Sequence, residues 1–378
     1  MTNEAQRMFD LVRLSFLLNI FFFLLAYGNE PAGEEWPMFR GNPGLSGVAG
    51  TTLPADPQLL WTFQAEQGIE SAPAIFGNTV FITALDGQLY ALNGRDGSLK
   101  WKYAAAGEIK SSPTLYRQQV FFGGESGLFH AMDAHSGKKS WTFTSDGEII
   151  SSANVSGDRV IFGSYDQFLY CLSVEDGREL WRLETGNYVH SSPAISGSDA
   201  VIAGCDGVLR MIDIASGVER HALPVGSYVA ASAAIHDGRA YFGTFDNQVL
   251  CVDLAEARQV WVYEHPKRQF PFYASAAVSG KLAVIAGRDK LVHALDTRTG
   301  EARWTFPLKT RIDASPVICG GRVYLGTRSG EMMALDLESG EAVWEYPTGS
   351  VINASAGIGE GKLVVGGEDG MVFCFGKK

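Results

Sequence analysis

The chain has 378 residues, a formal net charge of −11, 44 glycines and only 19% charged residues. That acidic balance excludes a nucleic-acid phosphate backbone as partner for the molecule as a whole. Scarce charge with abundant glycine suits many short strands joined by tight turns.

Residues 1–28 read as a secretory signal peptide. Arg7 and Arg13 precede an apolar run from Leu14 to Tyr27 that ends Ala26-Tyr27-Gly28, which supplies a charged region, a hydrophobic core and a small-residue cleavage site. The run is short for a membrane span, so cleavage is expected, with an uncleaved N-terminal anchor as the alternative. No cysteine follows the run to take a lipid, and the expected location is the periplasm or cell envelope. Residues 29–57 contain Trp36-Pro37-Met38-Phe39-Arg40-Gly41-Asn42-Pro43 and no periodicity. They read as an N-terminal arm laid over apolar surface.

From residue 58 to 378 the chain repeats. Ala334-Leu335-Asp336-Leu337-Glu338-Ser339-Gly340-Glu341-Ala342-Val343-Trp344 runs from a small residue through Asp and a Gly turn to Trp. The plan recurs at Trp101, Trp141, Trp181, Trp261 and Trp304; Trp61 keeps the Trp alone, and His221 stands where a Trp is due. The positions lie 40 residues apart, with one interval of 43. A fixed period of this length indicates repeat architecture, and the spacing predicts an all-β, eight-bladed β-propeller of four-stranded blades. Each first strand follows a small-residue triplet, from Ser71-Ala72-Pro73 to Ala354-Ser355-Ala356; small side chains place these strands innermost. The N-terminal strand around Trp61 lacks three companions, and the C-terminal unit stops after three. The two fragments are expected to complete one blade and close the ring, which removes open sheet edges. Cys171, Cys251 and Cys374 share a repeat position otherwise filled by Ala or Met, a tight buried strand site; Cys205 and Cys319 have no obvious mate, so no disulfide is expected.

The Ala-x-Asp-x-x-Ser/Thr-Gly-x-x-x-Trp pattern resembles the tryptophan-docking repeat of pyrroloquinoline-quinone (PQQ) type propellers. That family includes the outer-membrane assembly factor BamB and quinoprotein alcohol dehydrogenases. The opening Trp-Pro-x-Phe-Arg-Gly is similar to that of short exported members, and the resemblance covers residues 36–376. It implies that each Trp packs on the neighbouring blade while the Asp caps its turn. Departures are His221 for Trp, Ala257 for Gly, and Asn93 and Ser173 for Asp. Because His fills less of a docking site than Trp, His221→Trp is expected to stabilise, by about 1 kcal/mol where the site is roomy and less where neighbours have repacked.

Strand order puts the loops after each fourth strand on the same face as those between second and third strands. The residue before each triplet then lines the channel mouth: Glu70, Lys110, Ile150, His190, Ala230, Tyr273, Asp313 and Asn353. Glu70, Asp313 and Asn353 come from successive blades and offer oxygens to a hard cation. Three oxygens fall short of the roughly six to eight that Ca²⁺ takes, so no metal is expected, with this trio as the alternative. His190 has no partnered nucleophile and reads as a channel-lining residue. The resemblance implies that a quinone enzyme would need a flat aromatic floor and, commonly, adjacent cysteines. This chain has no Cys-Cys, and its tryptophans are committed to docking or to the arm. No catalytic residue, no cofactor-binding residue and no cofactor are expected.

The interval of 43 marks an insertion within 264–273, and lengthened loops on repeat scaffolds usually lie on the working face. Here Lys267 and Arg268 accompany Phe270, Phe272 and Tyr273, read as exposed aromatics. Adjacent loops add Arg288, Lys290, Lys309, Arg311 and Arg328. Seven bases face four acids (Glu264, Asp289, Asp313, Glu331), a balance of +3, whereas the loops of blades one to three set eight acids against Lys110 alone, −7. The expectation is a monomeric, non-catalytic exported scaffold presenting this sector to a protein partner in the envelope. Assembly of outer-membrane proteins is suggested by the resemblance, with peripheral membrane association left open. The alternatives are a PQQ- or metal-dependent oxidoreductase and a sensor or ligand-binding propeller.

Overall fold

Within each unit the middle strands are apolar throughout and the last one alternates. In the first blade β2 spans Ala74–Phe76, β3 Thr79–Thr83, β4 Gln88–Asn93 and β5 Leu99–Ala104. β3 is buried at every residue and β5 alternates between exposed and half-buried. The difference follows from stacking: inner strands are covered by a blade on each side, while the outermost strand borders solvent. A computed structural model of the protein describes residues 34–378; the expected signal peptide lies outside the described residues.

Eight four-stranded antiparallel sheets are present, seven of them in plain sequence order. The eighth joins β1 (Gln58–Gln64) to β32 (Met371–Gly376), β31 (Lys362–Gly366) and β30 (Gly357–Gly359). β1 pairs antiparallel with β32 from Gln58↔Gly376 to Gln64↔Met371. The N-terminal strand therefore completes the last blade, as expected, and neither terminal sheet is left with a missing edge.

The apolar core is a series of blade-to-blade interfaces. One cluster joins Phe81 and Leu89 of the first blade to Ile109 and Phe122 of the second, another Phe121 and Phe129 to Phe162. Cys171, Cys251 and Cys374 are fully buried and unbridged at their shared strand position. Six docked indoles, all but Trp344, lie on a glycine of the next blade's turn. A Cβ added at Gly97, Gly137, Gly217, Gly300 or Gly340 would lie 2.5–2.7 Å from ring carbons of Trp61, Trp101, Trp181, Trp261 or Trp304. These glycines hold φ of 68–76°, a region open to Gly at little strain. In five of the six indoles, Trp101 excepted, Nε1 donates to a carbonyl of the same turn, at 3.1 Å for Trp61–Gly94 and 3.0 Å for Trp141–Val174. The turns are capped as the resemblance implied: Asp133 Oδ1 accepts from the Ser136 N–H at 2.7 Å and Asp336 Oδ1 from Ser339 at 2.8 Å. Asn93 and Ser173 still cap, accepting from Arg95 at 3.0 Å and Asp176 at 3.4 Å.

The departures His221 and Ala257 form one docking pair. Ala257 occupies the glycine position opposite residue 221, at φ 46°. Its methyl group stands where an indole would lie, so the room expected for Trp at 221 is not there. The expectation that His221→Trp alone stabilises is corrected on that ground.

The small triplets do more than fit a crowded axis. The Ala72 N–H donates to Ser112 Oγ at 2.9 Å, Ser112 to Ser152 at 2.9 Å, Ser152 to Ser192 at 3.0 Å and Ser192 to Ser232 at 2.8 Å. Ser232, Ser275 and Ser315 continue to Ser275, Ser315 and Ser355 at 3.0, 2.9 and 3.0 Å. Seven hydroxyls thus tie each innermost strand to the preceding one. The eighth link lacks its hydroxyl because position 72 is Ala.

On the opposite end of the innermost strands the arm forms a floor. Trp36 and Ile75 exchange backbone hydrogen bonds of 2.9 and 2.7 Å. The carbonyls of Pro37, Pro43, Gly44, Ser46 and Gly47 then accept from Leu115, Ile195, Ile235, Val278 and Ile318 at 2.7–2.8 Å. Asn154 reaches the Pro43 carbonyl at 2.8 Å for the third blade, and Glu360 N–H donates to the Glu34 carbonyl at 2.6 Å for the eighth. The arm satisfies donors that inner strand ends would otherwise bury unpaired. It covers apolar surface as expected, with Trp36 and Leu45 buried.

Candidate functional site

The open face is the one opposite the arm. Loops after the fourth strand and loops between the second and third strands hydrogen-bond to each other there. The N–H groups of Leu85, Glu125, Tyr165 and Phe245 donate to the carbonyls of Gly68, Glu108, Glu148 and Tyr228 at 2.9–3.0 Å. This pairing sets a register between blades: a side chain at the second-to-third loop of one blade reaches the residue before the next blade's triplet. Tyr165 Oη meets His190 Nδ1 at 2.7 Å, Arg288 Nε donates to Asp313 Oδ1 at 2.6 Å, and Arg328 Nη1 donates to Asn353 Oδ1 at 2.8 Å. Phe245 and Tyr273 form the aromatic version, with centroids 4.6 Å apart.

Blades one to three carry the acidic part of this mouth. Lys110 pairs with Glu125 at 2.6 Å. Burial raises the Glu70 carboxyl above its usual range, opposed by Lys110 and reinforced by Glu368, Glu108 and Glu125. Burial, helped by the Lys110 charge, lowers His190, so its ring is neutral near pH 7 and suited to the Tyr165 hydrogen bond. Beside them a shallow cleft of about 390 Å³ is lined by Glu125, Asp146, Glu148, Tyr165 and Tyr188. Tyr165 and Tyr188 stack at 4.8 Å.

Blades five to seven carry the basic part. The inserted loop is held by His265, whose Nδ1 accepts from the N–H groups of Lys267 and Arg268 at 3.3 and 3.1 Å. Arg268 Nη1 donates to the Asp289 carbonyl at 2.7 Å. Phe270 is exposed, as are Lys267, Lys290, Lys309 and Arg311. Arg288 lies over the Tyr273 ring, 3.4 Å from its centroid, while holding Asp313. A cation on an aromatic face and against a carboxylate is fixed in position. Arg311 approaches the same carboxylate at 3.7 Å, and Lys309 pairs with Glu331 at 3.4 Å.

Two residues lie elsewhere than the sequence suggested. Phe272 is not on the face: it is 2% exposed and fills the buried position that Ile69, Ile109 and Ile149 hold in other blades. A Cβ on Gly243 would overlap it. Asp289 is also buried, hydrogen-bonded to His293 at 2.9 Å. The aromatics that sequence reasoning missed are Tyr188, Tyr228 and Phe245. Their signal was present, as aromatic residues at loop positions that most other units fill with non-aromatic residues.

Glu70, Asp313 and Asn353 remain at the mouth, but Arg288 and Arg328 take up the oxygens of Asp313 and Asn353. Among the described residues no group of three or more His, Cys, Asp or Glu is placed to hold a metal ion. The residues do not fit a quinone cofactor either. Seven tryptophans stand in the outermost strands and Trp36 is buried in the floor, so no indole is at the mouth to sandwich a flat ring.

The family model described as outer membrane protein assembly factor BamB matches residues 48–149, 118–270 and 265–376. No curated protein matches the sequence. Among solved structures the chain is similar to BamB from Moraxella catarrhalis, with 18% identity, a TM-score of 0.73, and coverage of 85% of this chain and 100% of that one. It is also similar to the computationally designed Ika8 protein, with 17% identity, a TM-score of 0.76 and the same coverages. The quinohemoprotein alcohol dehydrogenase from Comamonas testosteroni has 13% identity and a TM-score of 0.78, over 94% of this chain and 82% of that one. At these identities the structures share the fold alone; the family match runs across the repeats from residue 48 to 376. The chain belongs to the outer membrane protein assembly factor BamB family.

Proposed function

We propose that this protein is a non-catalytic scaffold of the cell envelope that binds a protein partner through the loops of blades five to seven. The observation that carries the reading is Arg288, fixed between Tyr273 and Asp313 across two blades. It forms a rigid centre flanked by exposed Phe270 and Tyr228 and by exposed Lys267, Lys290 and Arg311. Aromatic side chains with arginine suit an interface centre, and surrounding charges steer encounter and select the partner. The sector is basic in an acidic molecule, so the partner is acidic or mixed in polarity there. The family's name supports a place in outer-membrane protein assembly. Export through a cleaved signal peptide and action as a monomer complete the reading.

The test is crosslinking in cells, followed by identification of envelope proteins joined to the tagged chain. Lys267, Lys290 and Arg311 changed together to Glu should keep the wild-type melting temperature, because exposed charges contribute little to stability. The variant should lose the crosslinked partner, and wild-type capture should weaken as salt rises. Phe270→Ala should weaken capture with less salt dependence. Retention of every partner by both folded variants refutes the proposal.

A further inference from the structure

The arm contains one charged group that neither the ring nor the open face uses. Arg40 is 1% exposed, and its Nη2 donates to the Ala276 carbonyl at 2.8 Å. In blades two and three Thr114 and Asn154 reach the equivalent carbonyls of Ala153 and Pro193 at 2.7 and 2.9 Å. Blade five has Ala234 at that position, and Arg40 makes the contact in its place. Gly47 leaves room for the guanidinium, which a Cβ there would overlap. Nε and Nη1, however, find no acceptor among the described residues. Burial alone lowers this guanidinium to about 9, with no neighbouring charge contributing, so it remains a cation near pH 7. A buried cation with two free donors and no counter-charge is strongly unfavourable.

A second set of donors lines the innermost strands. Ser275, the residue before Ala276, belongs to the ring of seven hydroxyls. Each of them accepts from the preceding strand, which leaves its own O–H free to donate. Their side chains keep 3–8% exposure. A buried positive charge whose own donors lack acceptors is the chemistry of an anion site. We propose that the floor beneath the innermost strands binds one small monovalent anion of chloride size at the free N–H groups of the Arg40 guanidinium. One negative charge neutralises the site.

Crystals of the full chain soaked in sodium bromide provide the direct test. Anomalous scattering should place one bromide within hydrogen-bonding reach of the Arg40 guanidinium. In solution the melting temperature should rise by several degrees and saturate when chloride replaces gluconate at equal ionic strength, since a ligand of the native state alone stabilises it. Arg40→Gln should abolish the difference between the two salts. If that variant does not fold, the wild-type measurements decide. A soaked crystal with no bromide at Arg40, or equal melting temperatures in chloride and gluconate, overturns the proposal.

Discussion

His221 and Ala257 replace both partners of one docking contact, and a double-mutant cycle should show that they act together. An indole at 221 would remove on the order of 80 Å² more apolar surface from water than the present exposed imidazole. At about 25 cal/mol per Å² that is roughly 2 kcal/mol. Five docked indoles of other blades lie 2.5–2.7 Å from where a Cβ would sit on their glycines, and Ala257 has that carbon. Overpacking of this kind costs about 1–3 kcal/mol, so His221→Trp alone should leave stability unchanged or lower it. Ala257→Gly alone relieves a left-handed φ of 46° but gains unfolded-state entropy. The two effects are each about 1 kcal/mol and nearly cancel. The double variant should gain about 2 kcal/mol, a coupling of that size between neighbouring sites. Equilibrium urea denaturation of the four proteins gives the coupling directly. If His221→Trp stabilises equally with Ala257 in place and in the Ala257→Gly background, the reasoning about the methyl group is wrong.

Ala72→Ser should supply the eighth hydroxyl of the ring, accept from the Ser355 N–H and raise stability by about 1 kcal/mol; an unchanged urea midpoint would count against the closed ring of hydroxyls. Deleting residues 58–64 should lower the melting temperature of the whole propeller, because β32 loses its partner strand and Trp61 its dock on Gly97; wild-type melting of that truncated chain would contradict the blade closure. His130 is buried against Phe122 with centroids 4.8 Å apart, and burial, helped by Lys139, lowers its pKa from 6.5 to about 4. Its folded state therefore resists protonation, so stability is complete above pH 6.5 and falls by about 3 kcal/mol as the pH drops from 6.5 to 4. His130→Phe, the residue at the equivalent position 373, should flatten that loss in acid-titrated melting curves, and an identical pH profile would show that another group controls it.

The sequence by itself determined the ring. Blade number, strand order, innermost strands and closure by β1 all follow from local features that recur every 40 residues, because each unit buries the same faces against its neighbours. Turn caps were equally legible, even where Asn93 and Ser173 replace Asp, since capping acts over two or three residues. Tertiary structure decided whatever depends on residues that meet across blades. Phe272 and Phe270 are two apart in the same loop, yet one fills a core position and the other faces solvent; only packing against Gly243 separates them. Arg288 becomes a fixed centre because Tyr273 and Asp313 approach it from two blades. Ala257 matters because of a residue 36 positions earlier. The arm has no repeat to reveal its register, and its backbone route beneath the inner strands, with Arg40 buried along it, exists only once the ring has closed above it.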